Sequence, residues 1–134
     1  MIPRFALVTG VTPDYLKKLK WCLPTWPMKK QFAGRKLYLF HHGFDNPEKD
    51  LAWIGDYFPE VQAIEWDMEE YDGQRELMLS CFVLGSHLIE EEYFVKMDAD
   101  AFFTNADDVF VKDDFKHDLF SHSWSYTKPG WWID

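Results

Sequence analysis

Two aspartates separated by one residue, Asp98 and Asp100, are the strongest candidates for functional residues in this sequence of 134 residues. They follow residues 93–97, of which four in five are apolar, and they precede the apolar run at 101–103. Carboxylates at the end of a buried strand pay a desolvation cost that a divalent cation can offset, and their hard oxygens favour Mg²⁺ or Mn²⁺. The pattern therefore predicts a metal site at Asp98 and Asp100, with the metal bridging to phosphate oxygens.

The same triplet has an ordinary structural interpretation. Asp98 starts a turn after a strand and Asp100 caps it, because acidic residues are common in turns. The metal interpretation is favoured by the position of the triplet at the end of the fourth predicted strand, where unpaired carboxylates would be costly to bury.

Four short apolar runs of the kind that form buried parallel strands alternate with helical periodicity. The predicted strands are residues 5–8, 36–40, 61–66 and 93–97. This alternation predicts an α/β fold of Rossmann-like type, in which a mostly parallel sheet carries helices on both faces. Ligands of such sheets bind at the carboxyl ends of the strands. We therefore expect the residues that follow the strands to share one edge of the sheet: Thr9, His42, Asp67 and Asp98.

Three helices are predicted between the strands. The first begins at Thr12 and Pro13 and stops before Pro24, the second spans 48–58, and the third spans 73–90. The positions with core spacing are Leu16, Leu19, Leu23, Leu51, Ile54, Phe58, Leu77, Cys81, Leu84 and Leu88. Beyond Asp100 the pattern is weaker: the candidate elements are a short strand at 101–103, an amphipathic stretch at 107–120 and a half-buried strand at 123–127.

The segment Lys96-Met97-Asp98-Ala99-Asp100 resembles the motif of the A-type glycosyltransferases, especially their family-two members. In that family an Asp-x-Asp motif ends the fourth strand of a nucleotide-binding sheet and chelates the metal-bound sugar nucleotide. The resemblance covers residues 4–103, and the triplet is its only specific part. It implies that Asp98 and Asp100 are metal ligands and that the first strand touches the nucleoside at its end. The nucleotide-binding residues expected on this basis are Thr9, Gly10, His42, Arg75 and Asp98.

Arg75 and His42 have competing interpretations. Arg75 lies at the start of the third predicted helix, where free backbone N–H groups attract phosphate. A guanidinium there can donate two hydrogen bonds to a phosphate group. The alternative is a solvated arginine paired with Glu76 or Glu69. His42 follows the second strand, where many family members carry acidic residues that hold the base, so base recognition by this chain departs from the family pattern. No histidine spacing in the sequence matches a zinc site.

The resemblance implies transfer of a sugar from a nucleoside diphosphate sugar to an unknown hydroxyl acceptor, with Mn²⁺ or Mg²⁺ as cofactor. Residues 1–134 are expected to form one nucleotide-sugar-binding domain, with 1–103 as its core and 104–134 as the start of an acceptor-side region. No catalytic base is identified, because the family places it well downstream. One alternative is a binding module or truncated remnant without turnover. Another is an Asp-based phosphotransferase, which the following Ala101-Phe102 fits poorly.

Composition argues against a nucleic-acid partner and against a membrane-spanning segment. The formal net charge of −9 argues against a nucleic-acid-binding surface, and no apolar run is long enough to span a bilayer. Cys22 and Cys81 fall within predicted helices, where buried free thiols are common, so a reducing cytoplasm is expected.

The apolar end Trp131-Trp132-Ile133 predicts an exposed patch that either mediates self-association with a second copy or stays uncovered.

Overall fold

The computed structural model describes residues 2–67 and 73–116. The predicted strand at 123–127, the apolar end at 131–133 and Glu69, one of the two alternative partners proposed for Arg75, lie outside these described residues. Within them one four-stranded sheet has the order β3-β2-β1-β4, and all its pairings are parallel. Its strands are β1 (Phe5–Val11), β2 (Leu37–His41), β3 (Val61–Glu65) and β4 (Tyr93–Lys96). The predicted α/β fold with a parallel sheet is thereby confirmed.

The helices lie between the strands as the periodicity predicts, but each is shorter and continues as a 3-10 segment. The α-helices are α1 (Leu16–Cys22), α2 (Pro47–Leu51) and α3 (Gln74–Leu84). The 3-10 segments are Pro13–Tyr15, Leu23–Met28, Ala52–Asp56, Gly85–Leu88 and Lys112–Lys116. Pro24 and Pro27 lack the N–H that an α-helical ladder needs, which explains why α1 ends at Cys22.

The sheet divides the apolar core into two layers. On one face Phe5, Leu7 and Val11 pack with residues of α1, α2 and their 3-10 extensions. On the other face Ala6 and Val8 pack against α3. All seven residues of β1 are buried, as expected for a central strand covered on both faces. Helices therefore cover both faces of the sheet, with β1 at its centre.

Three local expectations are wrong. β1 extends to Val11, because its pairing with β2 continues as far as His41. Leu88 is 37% exposed, because the α-helical periodicity ends at Leu84. Residues 101–103 form no strand, since a turn directs the chain away after β4, with Ala101 N donating to Asp98 O at 3.0 Å.

The irregular segment after the triplet is held by side chains from the 3-10 region near α1. Trp26 Nε1 donates to Ala101 O at 2.6 Å. The buried Lys29 donates through Nζ to Asn105 Oδ1 at 2.8 Å and to Asp107 O at 2.6 Å. The backbone carbonyls of Ala101 and Asp107 thus find donors without strand pairing. The segment therefore has a defined path despite its lack of regular structure.

Candidate functional site

The strand order places a switch point between β1 and β4. From β1 the chain proceeds to β2 on one side, whereas β4 pairs with β1 on the other side. In open α/β sheets the crevice outside the carboxyl ends of two such strands is the usual ligand site. Asp98 and Asp100 follow β4 at this crevice. The topology thus brings the triplet to the expected edge.

Both carboxylates of the triplet are exposed to solvent. The residues alternate, so that Met97 and Ala99 are 5% and 2% exposed while Asp98 and Asp100 point outward. The expectation that these carboxylates end a buried strand and need a cation to offset desolvation is therefore wrong. The turn at Asp98 removes them from the core, so a metal would bind two accessible ligands.

Asp98 has a cationic neighbour that the sequence pattern did not indicate. Lys96 Nζ lies 2.9 Å from Asp98 Oδ1, and the two side chains are 33% and 62% exposed. Exposed ion pairs of this kind contribute little, about 0–1 kcal/mol. Lys96 is thus a weak local competitor for one carboxylate oxygen of the candidate metal ligand.

Thr9 and Gly10 lie inside β1, not at its end. Thr9 is fully buried, and its hydroxyl donates to Met97 O at 2.7 Å, joining β1 to the residue before Asp98. A Cβ at Gly10 would lie 2.9 Å from Met78 Sδ of α3, so glycine permits close packing of helix on strand. Both residues therefore have structural roles, and their contact with nucleotide stays a prediction.

Gln74, a residue that the sequence analysis did not single out, joins α3 to the end of β1. Its Nε2 donates to Gly10 O at 2.7 Å, and its Oε1 accepts from Thr12 N at 2.8 Å and from Thr12 Oγ1 at 3.1 Å. Thr12, expected to cap the first helix, makes no side-chain cap bond there. A side-chain amide can donate and accept at once, which suits this bridge. No periodicity in the sequence signals it.

The N-terminus of α3 therefore lies beside the end of β1. The first N–H groups of an α-helix have no intrahelical acceptor and carry a partial positive charge. Arg75 is in this first turn and is exposed. Among residues 2–67 and 73–116 it forms no ion pair, so the alternative pairing with Glu76 is not seen there. The carboxylate of Glu76 also lies at this end, beside Gly73, so the first turn carries one cation and one anion.

His42 lies in an open cleft of about 550 Å³ at the carboxyl ends of β2 and β3. The residues lining the cleft are His42, Gly43, Phe44, Asp45, Glu65 and Asp67. His42 Nδ1 is 3.0 Å from Trp66 O, and because a carbonyl only accepts, Nδ1 carries the proton. Three acidic residues thus share a cleft at this edge, although no acidic residue directly ends β2.

The donor set suits Mg²⁺ or Mn²⁺ better than a thiol-binding metal. Such cations are commonly held by one or two carboxylates together with substrate phosphates, which fits the accessible pair Asp98 and Asp100. The described residues contain no group of three or more His, Cys, Asp or Glu able to hold a metal. Cys22 and Cys81 are buried free thiols, and burial raises the pKa of Cys81 to about 11. Burial, and then the charge of Asp100, raise the pKa of Cys22.

The fold and the polar edge define a small α/β protein of Rossmann-like architecture. No family model matches the chain, and no curated protein matches it significantly. Among the described residues, none of the helices has the length and apolarity required to cross a membrane.

Proposed function

We propose that this chain is the donor-binding part of a metal-dependent glycosyltransferase, which transfers a sugar from a nucleoside diphosphate sugar to a hydroxyl acceptor. The observation that carries the proposal is the placement of Asp98 and Asp100. Two accessible carboxylates follow β4 at the switch point beside β1, where Rossmann-like sheets bind their ligands.

Asp98 and Asp100 are the proposed ligands of Mn²⁺ or Mg²⁺. Lys96 contacts Oδ1 of Asp98, so binding uses Oδ2 or displaces the lysine. A bound metal would supply positive charge where negative charge develops on the departing diphosphate. The two carboxylates would hold the metal, and through it the donor, at the edge of the sheet.

The diphosphate is proposed to lie against the N-terminus of α3. Gln74 holds this end of the helix at Gly10 and Thr12, which keeps its N–H groups in one position. Arg75 adds a guanidinium able to pair with phosphate oxygens. The local positive charge of Arg75 matters because the chain as a whole has a formal charge of −9 and repels anions at long range.

The nucleoside is proposed to occupy the cleft at His42. The ring of Phe44 offers an apolar surface, while the carboxylates of Asp45 and Asp67 accept hydrogen bonds from hydroxyl or N–H groups. These two acidic residues would replace the one that the family places at the end of the second strand. Thr9 and Gly10 then form the buried floor beneath the bound donor.

Calorimetric titration of UDP and GDP, each with Mn²⁺ and with excess chelator, tests the proposal. Asp98→Asn and Asp100→Asn should each lower the metal-dependent affinity by about tenfold or more, since each removes a charged ligand. Asp56→Asn is the matched control, because Asp56 is an exposed carboxylate in the Ala52–Asp56 segment. Equal losses in all three variants, or equally tight binding in chelator, would contradict the proposal.

A further inference from the structure

The charges of this acidic chain are unevenly distributed. Residues 15–44 contain seven of the 14 lysines and arginines and none of the 23 aspartates and glutamates. A strong local excess of one sign in a chain of opposite net charge indicates a surface for an oppositely charged partner. The stretch includes α1 and the 3-10 segment Leu23–Met28.

Several cations of this stretch are already engaged. Lys29 is buried and bonded to Asn105. Arg35 lies 4.1 Å from the centroid of the Phe5 ring. Lys36 lies 3.6 Å from a carboxylate oxygen of Glu60. The surface charge of the stretch therefore comes mainly from α1.

The outer side of α1 combines cations with a large aromatic ring. Leu19 and Cys22 face the core, and the helical period places Lys17, Lys20 and Trp21 on the opposite side. Trp21 is 76% exposed, the largest exposure among the large apolar side chains described. Lys17 and Trp21 are four residues apart and therefore adjacent on the helix surface. Lys17, Lys20 and Trp21 are called the basic–aromatic face below.

Most neighbouring residues extend the same character, apart from the exposed Asp14 one turn before Lys17. Lys18 is exposed, with its Nζ 4.3 Å from the centroid of the Tyr15 ring. Met28 is 45% exposed, and the exposed Lys30 lies two residues further on. Within the described residues no ion pair involves Lys17, Lys20 or Lys30. The region thus presents ammonium groups around exposed apolar side chains.

We propose that the basic–aromatic face docks on an anionic phospholipid bilayer. An indole ring is favoured at a membrane interface, where its apolar body is covered and its N–H stays hydrated. Lysines around it are attracted to anionic headgroups and bury their stems while the ammonium stays in water. Duplex nucleic acid is the weaker candidate, because its phosphate backbone would attract the lysines but would leave the exposed apolar area of Trp21 and Met28 uncovered. The inference is independent of the nucleotide site.

Vesicle flotation tests the proposal with the whole chain. Phosphatidylcholine vesicles with about 30 mol % phosphatidylserine should bind the protein, and pure phosphatidylcholine vesicles should bind it far more weakly. Binding should fall steeply at about 0.5 M NaCl, because salt screens the attraction. Lys17→Gln with Lys20→Gln should lower the partition coefficient about 25-fold, or about fivefold for each lysine. Trp21→Ala should lower it at least about fivefold by removing buried apolar area.

The matched control is the double variant Lys49→Gln and Lys112→Gln, which removes the same charge from exposed lysines elsewhere. It should leave the partition coefficient within about twofold of the parent, since both lysines lie outside the face. No binding to anionic vesicles, or an equal loss in the control, would overturn the proposal. Polyglutamate or duplex DNA bound as tightly as vesicles, with no effect of Trp21→Ala, would also overturn it. That result would assign the face to a polyanion.

Discussion

Gln74 Nε2 donates a hydrogen bond of 2.7 Å to the carbonyl oxygen of Gly10, 64 residues earlier in the chain. The bond joins the first turn of α3 to the strand at the centre of the sheet. In a parallel sheet the chain returns through a crossover helix, so the position of that helix end must be set by tertiary contacts. At this edge the side-chain amide of Gln74 supplies one such contact.

Gln74→Glu should destabilise the fold and weaken diphosphate binding. A carboxylate accepts from Thr12 but cannot donate to Gly10 O, and it places negative charge at the proposed phosphate site. We expect a loss of about 1–3 kcal/mol in the free energy of unfolding, measured with urea. Gln62→Glu is the control, because Gln62 is exposed on β3. Unchanged stability of Gln74→Glu would show that the bridge is dispensable.

Gly10→Ala should lower the free energy of unfolding by about 1–3 kcal/mol through overpacking. The added Cβ would meet Met78 Sδ at 2.9 Å and Leu77 Cγ at 3.3 Å, so α3 or its side chains must shift. Gly55→Ala is the control, since nothing lies within 4 Å of a Cβ there. Thermal unfolding of both variants decides the point, and equal shifts in melting temperature would argue against close packing as the reason for Gly10.

Lys96→Gln should raise the affinity for Mn²⁺ by up to about fivefold, because it removes a cation 2.9 Å from the proposed ligand Asp98. Mn²⁺ titration followed by electron paramagnetic resonance measures the free ion directly. Lys116→Gln is the control, since it removes the same charge from another exposed pair, with Asp113. A lower affinity in Lys96→Gln would mean that the lysine supports the site and does not compete with the metal.

The stability of the fold should fall as the pH drops below about 6.5, the ordinary pKa of histidine. His41 is 6% exposed, and burial lowers its pKa, opposed by Glu65 and reinforced by His42. Below that pH the unfolded chain binds a proton that the folded chain resists, so the contribution of neutral His41 is lost with acid. His41→Leu should flatten this part of the urea-unfolding pH profile, whereas His87→Leu, at an exposed position, should not. An unaltered slope in His41→Leu would assign the effect to other groups.

The chain should bind donor without efficient sugar transfer. An acceptor base contributes about 10²–10⁴-fold to such reactions, and no described residue is assigned that role. Among the acidic residues after the triplet, Asp113 pairs with Lys116, and Asp114 accepts from Val111 N at 2.8 Å. Radiolabelled sugar nucleotides with Mn²⁺ and a panel of acceptors measure the outcome. Multiple turnovers abolished by Asp100→Asn would show that the chain is active by itself.

Spacing along the chain was enough to predict the elements and their order. Leu51, Ile54 and Phe58 recur at helical intervals and are all buried, and the four apolar runs became the four parallel strands. The backbone geometry of a helix or a strand sets the spacing of its buried residues, so this spacing can be recognised in the sequence itself. The position of the triplet after the last strand, and hence at the carboxyl edge, followed from the same pattern.

The exposure of side chains and their hydrogen-bond partners were decided only by the tertiary structure. The pattern around Asp98 and Asp100 is the same whether the chain continues as a buried strand or turns outward, and the turn at Ala101 made both carboxylates accessible. Gln74 and Lys29 look like ordinary polar surface residues, yet both are buried, because segments distant in sequence supply their hydrogen-bond partners. Periodicity reports where a side chain points relative to its own element, whereas burial depends on what other parts of the chain lie opposite.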